Sequence, residues 1–304
     1  MIIKAYAKIN LGLDVVRKRA DVYHDVKMIM QTIDVFDTLD IKLGIENGEN
    51  IVSLGGLGKI SVVCGDENVP CGETNLVCKS AKAFLEYTGK KADISVKIEK
   101  NIPVGAGLAG GSTDAAAVLR ALNVLLKTDL SDTELMKIAK NIGADVPFCV
   151  RGGLQRAQGV GERLTPLAMK KPLYLVAFQP CRGLSTKDVF TALHEDGIRG
   201  EDRPDNEAAQ RALAAGDVRA LGAALGNVLE PVSRRMRPEI DRAIRAIEES
   251  GAVGARMTGS GSAVFGVFMH AGACRRAADR LAAAYPTCRM MRTAAHGVVV
   301  EEEA

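Results

Sequence analysis

Apolar and polar residues alternate along much of the first hundred residues, which is the period of a β-strand with one buried face. The alternation predicts strands at residues 2–16, 26–43 and 92–100, and a glycine-interrupted hairpin at residues 50–65. In residues 92–100 the apolar positions alternate strictly with polar ones, so one face of this strand is expected to contact water.

Elsewhere the apolar residues recur every three to four positions, which predicts helices. One helix is predicted over residues 74–89, ending at Gly89, and another over residues 131–143, where Ser131 and Glu134 form a capping box. The same spacing predicts helices at residues 112–126, 185–197, 206–217, 218–230, 238–251 and 271–285. Residues 144–167 lack it and are expected to form loops and short strands.

The strand pattern returns near residue 170, which suggests a second folding unit. Strands are predicted at residues 170–180 and 295–302, and a strand–loop–strand at residues 254–269. Because 304 residues exceed the usual size of one core, we predict two domains, residues 1–168 and 169–304.

The composition is that of an ordinary globular protein. Hydrophobic residues make up 47% and charged residues 25%, and the formal net charge is +3, so nothing favours a nucleic-acid partner. The first residues lack the features of a signal peptide, and no apolar run approaches the roughly 20 residues that cross a bilayer. We therefore expect a cytoplasmic protein without a membrane partner. The seven cysteines are scattered and odd in number, which argues against a disulfide framework.

The segment NIPVGAGLAGGSTDAAAVLRALN, residues 101–123, is the main candidate for chemistry. Its glycines match the dinucleotide fingerprint G-x-G-x-x-G, which needs a buried strand before the loop and an acidic residue at the end of a second strand. The preceding strand has a wet face, and Asp129, at the right distance, follows a helix instead. A Walker A loop needs a lysine after its second glycine, and Gly111 and Ser112 follow Gly110 here.

The physical features that both motifs share are still present in this loop. Its four glycines let the backbone approach a ligand closely, and the helix that follows offers unpaired N–H groups to an anion. Ser112 and Thr113 can cap this helix or contact phosphate or Mg²⁺, and no other metal contact is assigned to the protein. So many glycines are costly if the segment is only a tightly packed helix start. The residues therefore favour a phosphate-binding loop.

With Pro103 before it, the run Gly107-Leu108-Ala109-Gly110-Gly111-Ser112 resembles the nucleotide loop of the GHMP kinases. This family is named for galactokinase, homoserine kinase, mevalonate kinase and phosphomevalonate kinase. Six further segments are similar, in the same order, to family members that phosphorylate a cytidyl sugar alcohol. They are AKINLGLDV (7–15), RADVYHDV (19–26), TNLVCKSA (74–81), IGADVPFCVRGG (142–153), GVGERLTPL (159–167) and TGSGSAVFGVF (258–268). Three positions depart from the pattern: Val22, Asp25 and Gln158.

The resemblance implies a fold and a reaction. The fold is α+β with two domains, an N-terminal one of the ribosomal protein S5 domain 2-like type and a C-terminal ferredoxin-like one. The reaction moves the γ-phosphate of ATP, with Mg²⁺, to the tertiary 2-hydroxyl of a small cytidyl substrate in the non-mevalonate isoprenoid pathway. The resemblance leaves the oligomeric state open between a monomer and a homodimer.

The resemblance also implies which residues contact the two substrates. The implied ATP contacts are Asn75, Lys100, Pro103, Gly105, Gly107, Leu108, Gly110, Gly111 and Ser112. The implied contacts to the cytidyl substrate are Asn10, Tyr23, His24, Thr186 and Phe190. The aromatic rings of Tyr23 and Phe190 are suited to stack on cytosine, and His24 and Asn10 would supply hydrogen bonds.

Lys8 and Asp145 are the implied catalytic residues. Asp145 would accept the proton of the acceptor hydroxyl or orient it, and Lys8 would pair with Asp145 and stabilise charge in the transition state. From the residues alone, Asp145 also fits a turn carboxylate that binds nearby backbone N–H groups. Lys8 also fits the wet face of an edge strand, since it shares parity with Lys4 and Tyr6.

Two alternative functions remain open. One is another small-molecule kinase of the same family, of the homoserine or mevalonate type. The other is a non-catalytic ligand-binding regulator on the same fold, although a regulator has no need of both Lys8 and Asp145.

Overall fold

The computed structural model describes residues 1–19, 24–45 and 50–301, and its larger sheet is built on two long strands. These strands, β1 (Ile2–Lys18) and β2 (His24–Leu43), pair antiparallel along most of their length. The other strands of this sheet are β3 (Ile51–Ser53), β4 (Lys59–Cys64), β5 (Ile94–Glu99), β6 (Leu154–Gly159), β7 (Arg163–Pro166), β9 (Gly226–Asn227) and β13 (Val298–Val300). The order β13-β1-β2-β5-β4-β3 forms its main path, and β6 joins β2.

Four helices accompany this sheet: α1 (Leu76–Thr88), α2 (Gly110–Leu125), α3 (Asp132–Lys140) and α4 (Val146–Arg151). The prediction of α1 is confirmed, with Gly89 in the left-handed conformation that ends it. The capping box of Ser131 and Glu134 is confirmed as well. Between these helices and the sheet lies a core of aliphatic side chains and phenylalanines.

Two predictions in this region are wrong. Helix α2 begins at Gly110, two residues before the predicted start, and its N-cap is Ala109 in the left-handed conformation. Ser112 and Thr113 therefore lie inside the first turn and do not cap the helix. The stretch 144–167 contains α4 as well as strands, because a six-residue helix that starts with a proline in its first turn is too short to show an apolar stripe.

The smaller sheet contains β8 (Tyr174–Phe178), β10 (Gly254–Met257), β11 (Val264–Phe268) and β12 (Arg289–Arg292). Its order, β10-β11-β8-β12, is antiparallel throughout. Helices α5 (Thr186–Asp196), α6 (Asn206–Ala215), α7 (Val218–Ala224), α8 (Glu230–Met236) and α9 (Pro238–Glu249) separate β8 from β10, and α10 (Ala271–Ala282) separates β11 from β12. The sheet order and this chain order are those of a ferredoxin-like unit, which confirms the expected fold.

The two parts of the chain share the larger sheet. Strand β9 pairs parallel with β1, and β13 pairs antiparallel with its other end, although both strands follow residue 169. The division at residues 168 and 169 stays a prediction. Because both halves contact β1, that strand lies at the junction where the functional side chains gather.

Candidate active site

A cavity of about 570 Å³ opens where the glycine loop, the start of α2 and the second half of the chain meet. Most of the site residues expected from the sequence line it: Lys8, Asn10, Asn75, Lys100, Pro103, Gly105, Gly107, Gly110, Gly111, Ser112, Asp145, Thr186 and Phe190. Leu108 and His24 are not among its lining residues. The Leu108 side chain is buried, and its carbonyl oxygen accepts a hydrogen bond from the Lys8 backbone at 3.1 Å. The structure thus brings residues separated by 180 positions around one space.

The glycine loop is held by a second loop, residues 258–262, from the other half of the chain. A Cβ on Gly107 would lie only 2.4 Å from the carbonyl oxygen of Thr258, and its φ of +85° is unfavourable for other residues. The Thr258 hydroxyl accepts a hydrogen bond from the Asn10 backbone N–H at 3.0 Å. Glycine is therefore required at position 107 by both the backbone angle and the close contact.

Lys8 is buried at the base of the cavity. Its ammonium donates to Asn10 Oδ1 and to the Gly107 carbonyl oxygen, both at 2.9 Å, and lies 3.6 Å from Asp145 Oδ2. The alternative of a wet strand face holds only for Lys4 and Tyr6, which stay half-buried, whereas the glycine loop covers Lys8. Lys8 thus contacts the glycine loop, Asn10 and the candidate base Asp145.

Asp145 stands at the N-cap of α4, but its carboxylate makes no capping hydrogen bond. It is 32% exposed, and it lines the cavity. The alternative of a turn aspartate bound to local N–H groups is thus not what the structure has. Among the described residues, Lys8 is the one cation paired with Asp145, through Oδ2, so the second carboxylate oxygen is available to a hydroxyl in the cavity.

A second lysine contacts the same cavity from the nucleotide-loop side. The Lys100 ammonium forms ion pairs with Asp37 and, at 2.9 Å, with Asp114 Oδ2. All three side chains are almost fully buried. Asp37 also accepts hydrogen bonds from the backbone N–H groups of Asn101 and Ile102, at 2.7 and 2.8 Å. This cluster fixes the chain just before the glycine loop.

Burial and charge act against each other in this cluster. Burial disfavours the charged form of Lys100, but the two carboxylates outweigh it and raise the pKa of the lysine. Burial raises the pKa of the Asp114 carboxyl to about 7, since the ammonium offsets only part of the desolvation and Asp37 adds repulsion. Sequence reasoning missed both aspartates. An acidic residue in the alanine-rich start of α2 was the available signal for Asp114.

Two of the residues expected to bind the cytidyl substrate, Thr186 and Phe190, lie on α5 and line the cavity. The Thr186 hydroxyl is 2.9 Å from the Ser260 hydroxyl, and Phe190 follows one turn later on α5. The His24 ring packs against Phe190, with centroids 4.4 Å apart. Tyr23 and Val22 lie outside the described residues. The structure thus brings His24 next to Phe190, whereas Asn10 lies beside Lys8 at the base of the cavity.

His194 is a further residue beside His24 that the sequence did not single out. Its ring stacks on that of His24 with centroids 4.7 Å apart, so β2 and α5 meet through two imidazoles. Burial, then the neighbouring His194, then Lys18 lower the pKa of His24. All three effects disfavour the charged form of His24, and its Nε2 atom lies 2.5 Å from His194 Nε2.

Asn75 has a clear structural role beside its expected one. Its side chain caps α1 by accepting from the Val77 N–H at 2.8 Å, and it donates to the Pro70 carbonyl oxygen at 2.6 Å. It thereby holds the turn around residues 69–75 against the cavity.

Within residues 1–19, 24–45 and 50–301, no three His, Cys, Asp or Glu side chains are placed to hold a metal ion together. In that same part of the chain, none of the helices has the length and apolar character needed to cross a membrane.

Comparison with known families places this geometry in context. The model of the GHMP kinases N terminal domain matches residues 75–153, and the model of the GHMP kinases C terminal domain matches residues 209–287. The first match contains the glycine loop and Asp145.

Individual relatives match over nearly the whole chain. A 4-diphosphocytidyl-2-C-methyl-D-erythritol kinase of Caldicellulosiruptor saccharolyticus is 42% identical over 281 residues, which is 92% of each chain. The protein of the same name from Alkaliphilus metalliredigens is 37% identical over 291 residues, 96% of each.

Solved structures give the same result. A crystal structure of 4-(cytidine 5'-diphospho)-2C-methyl-D-erythritol kinase superposes with a TM-score of 0.77 at 33% identity, covering 96% of this chain and 99% of the other. A homoserine kinase from Cytophaga hutchinsonii has a TM-score of 0.74 at 19% identity, covering 98% of this chain and 96% of the other, and shows the shared fold alone.

Proposed function

This chain belongs to the GHMP kinases, and from that premise we propose that it phosphorylates the 2-hydroxyl of 4-diphosphocytidyl-2-C-methyl-D-erythritol with ATP. The proposal makes it an enzyme of the non-mevalonate isoprenoid pathway. The observation that carries it is the Lys8–Asp145 pair at the base of a cavity that is lined by the glycine loop and by Thr186 and Phe190 of α5.

In the proposed reaction the Asp145 carboxylate accepts the proton of the acceptor hydroxyl or orients it. The hydroxyl oxygen bonds to the γ-phosphorus of ATP, the bond from that phosphorus to the β–γ bridging oxygen breaks, and ADP leaves. Lys8 lies 3.6 Å from Asp145 and keeps a positive charge beside the acceptor oxygen. Its bond to the Gly107 carbonyl oxygen holds that charge next to the glycine loop.

The glycine loop and the start of α2 suit the phosphates of ATP. The N–H groups of the first turn of α2 have no partners within the helix and point toward the cavity end of the loop. Mg²⁺ that arrives with ATP would be held mainly by phosphate oxygens, as is usual for this ion, with the Ser112 hydroxyl as a protein contact. Bound Mg²⁺ supplies positive charge to the phosphates.

The residues near β2 and α5 suit the cytidyl group. Phe190 offers an aromatic face, and the imidazole of His24 offers its Nδ1 atom to a base edge, because its Nε2 atom lies 2.5 Å from His194 Nε2. Asn10 and Thr186 face the middle of the cavity, where the sugar alcohol would lie. We further propose that the enzyme works in the cytoplasm on small molecules, without nucleic-acid or membrane partners.

A substrate panel tests the proposed function. Purified protein receives Mg-ATP with the cytidyl erythritol, homoserine or mevalonate, and ADP release is measured. Turnover with the cytidyl substrate alone is the expected result. Turnover with homoserine or mevalonate and none with the cytidyl substrate would assign the enzyme to another branch of the family. Binding of the cytidyl substrate without ADP release would favour the regulator.

A further inference from the structure

The Lys100 ammonium has one hydrogen-bond donor left over. An ammonium carries three N–H donors, and two are taken by Asp37 and Asp114. Over residues 1–19, 24–45 and 50–301, no other acceptor binds Lys100. Because Lys100 also lines the cavity, its third N–H is available to a bound molecule.

The place of this ammonium is unfavourable for a cation by itself. A Cβ on Gly110 would lie 3.0 Å from Lys100 Nζ, so the charge sits against the first residue of α2. The positive end of the helix dipole repels a cation there. Carboxylates must therefore hold Lys100 in this place.

The two carboxylates do this from different directions. Asp37, on β2, is already fixed by two backbone N–H donors, and it neutralises the lysine charge. Asp114 lies one helical turn after Gly110 and binds Lys100 from the same helix that carries the end of the glycine loop.

Charge balance does not account for Asp114. A Lys100–Asp37 pair alone is already neutral, so the lysine charge does not need a second carboxylate. Burying another carboxylate is also costly. Asp114 instead fixes the orientation of the ammonium. Because Asp37 and Asp114 accept two of its N–H groups, the third N–H of Lys100 is directed to the cavity.

We propose that Asp114 is a positioning residue for the nucleotide, holding Lys100 against the start of α2 so that its remaining N–H donates to an acceptor on the nucleotide. This rests on the proposed function in taking the cavity as the nucleotide site. Neither the glycine motif nor the Lys8–Asp145 pair gives Asp114 a role. The residue acts through Lys100 and does not contact the reacting atoms.

Binding of ADP in the presence of a chelator, measured by calorimetry, tests the proposal without turnover. Asp114→Ala is expected to raise the Kd for ADP about tenfold, the value of one charge-assisted hydrogen bond. Asp114→Asn is expected to recover most of the affinity, because its amide oxygen still accepts from Lys100. In turnover assays, Asp114→Ala should raise KM for ATP more than it lowers kcat.

Asp132→Ala is the matched control, since its carboxylate pairs with Arg120 at the exposed start of α3. It should bind ADP like the wild type. Wild-type affinity in Asp114→Ala would overturn the proposal. So would equally weak binding by Asp114→Asn and Asp114→Ala together with an equal fall in Tm, since that indicates a structural role only. If the wild type itself does not bind ADP, the nucleotide-binding part of the proposed function fails, and the inference fails with it.

Discussion

Lys8 and Lys100 are both buried beside the same cavity, yet their surroundings differ. Lys8 has two neutral acceptors and one carboxylate at 3.6 Å that keeps contact with water. Lys100 is enclosed by two carboxylates that are themselves buried. A loosely paired cation can respond to charge that develops during a reaction, whereas a tightly paired one fixes geometry. The comparison separates the lysine that we propose for catalysis, Lys8, from the one that we propose for positioning the nucleotide, Lys100.

Replacing each lysine by methionine is expected to give the largest difference between the two sites, measured as loss of stability. Lys100→Met leaves two buried carboxyl groups without a counter-ion, and we expect it to lower the free energy of unfolding by about 3–5 kcal/mol. Lys8→Met should cost less, because Asp145 is partly hydrated. Denaturant unfolding of both variants measures the difference. Equal losses of unfolding free energy would mean that the two lysines stabilise the fold to the same extent.

The catalytic side of the comparison is tested at Asp145. Asp145→Ala is expected to lower kcat by about 10²-fold or more, because the acceptor hydroxyl loses its proton acceptor. ADP binding should stay close to that of the wild type, since Asp145 does not contact the nucleotide loop. Steady-state kinetics and calorimetry measure the two quantities. Full activity in this variant would remove Asp145 from the mechanism.

The Lys100 cluster should also make stability depend on pH. The pKa of Asp114 is about 7 in the folded protein and near 3.8 when unfolded, so the folded state holds the extra proton between these values. Its contribution to stability is complete below the unfolded pKa and is lost as the pH rises through the folded pKa. As the pH rises through this range, the free energy of unfolding of the wild type should fall by about 1.4 kcal/mol per pH unit relative to that of Asp114→Asn. Parallel unfolding curves for the two proteins from pH 5 to pH 8 would refute this.

The smallest expected effect lies at His24, a third basic side chain, whose charged form is disfavoured. An NMR titration should give His24 a pKa below 6.5, since burial and His194 both disfavour its charged form. His194→Ala should raise this pKa only part of the way, because burial is the larger cause. A His24 pKa that does not change in the variant would show that the two rings do not interact in solution.

The sequence predicted those elements whose signals are local. Alternation gave β5, helical spacing and Gly89 gave α1, and Ser131 with Glu134 gave the start of α3. Helices α4 and α8 were missed, because six or seven residues starting with a proline in the first turn show no apolar period. Strand β12, with arginine at both ends, has no strand pattern either.

The same distinction applies to the site. The residues of the glycine loop are adjacent in the sequence, so a loop that lines a binding cavity could be predicted from the sequence motif alone. Asp37 lies 63 positions before Lys100 and belongs to a long strand, so nothing near it indicated a buried ion pair. The covering of Lys8 likewise depends on a loop 99 residues away. Periodicity could not show which face of β1 that loop covers.

The position of β1 at the junction affects the order in which the sheet forms during synthesis. Its first residues pair with β13, and the Ile2 carbonyl oxygen accepts a hydrogen bond from the Glu301 N–H at 2.9 Å. Contacts between positions so far apart in the sequence form late, because closing so long a loop carries a large entropic cost. During synthesis, this part of β1 therefore has no partner on the β13 side until the second half of the chain has been made.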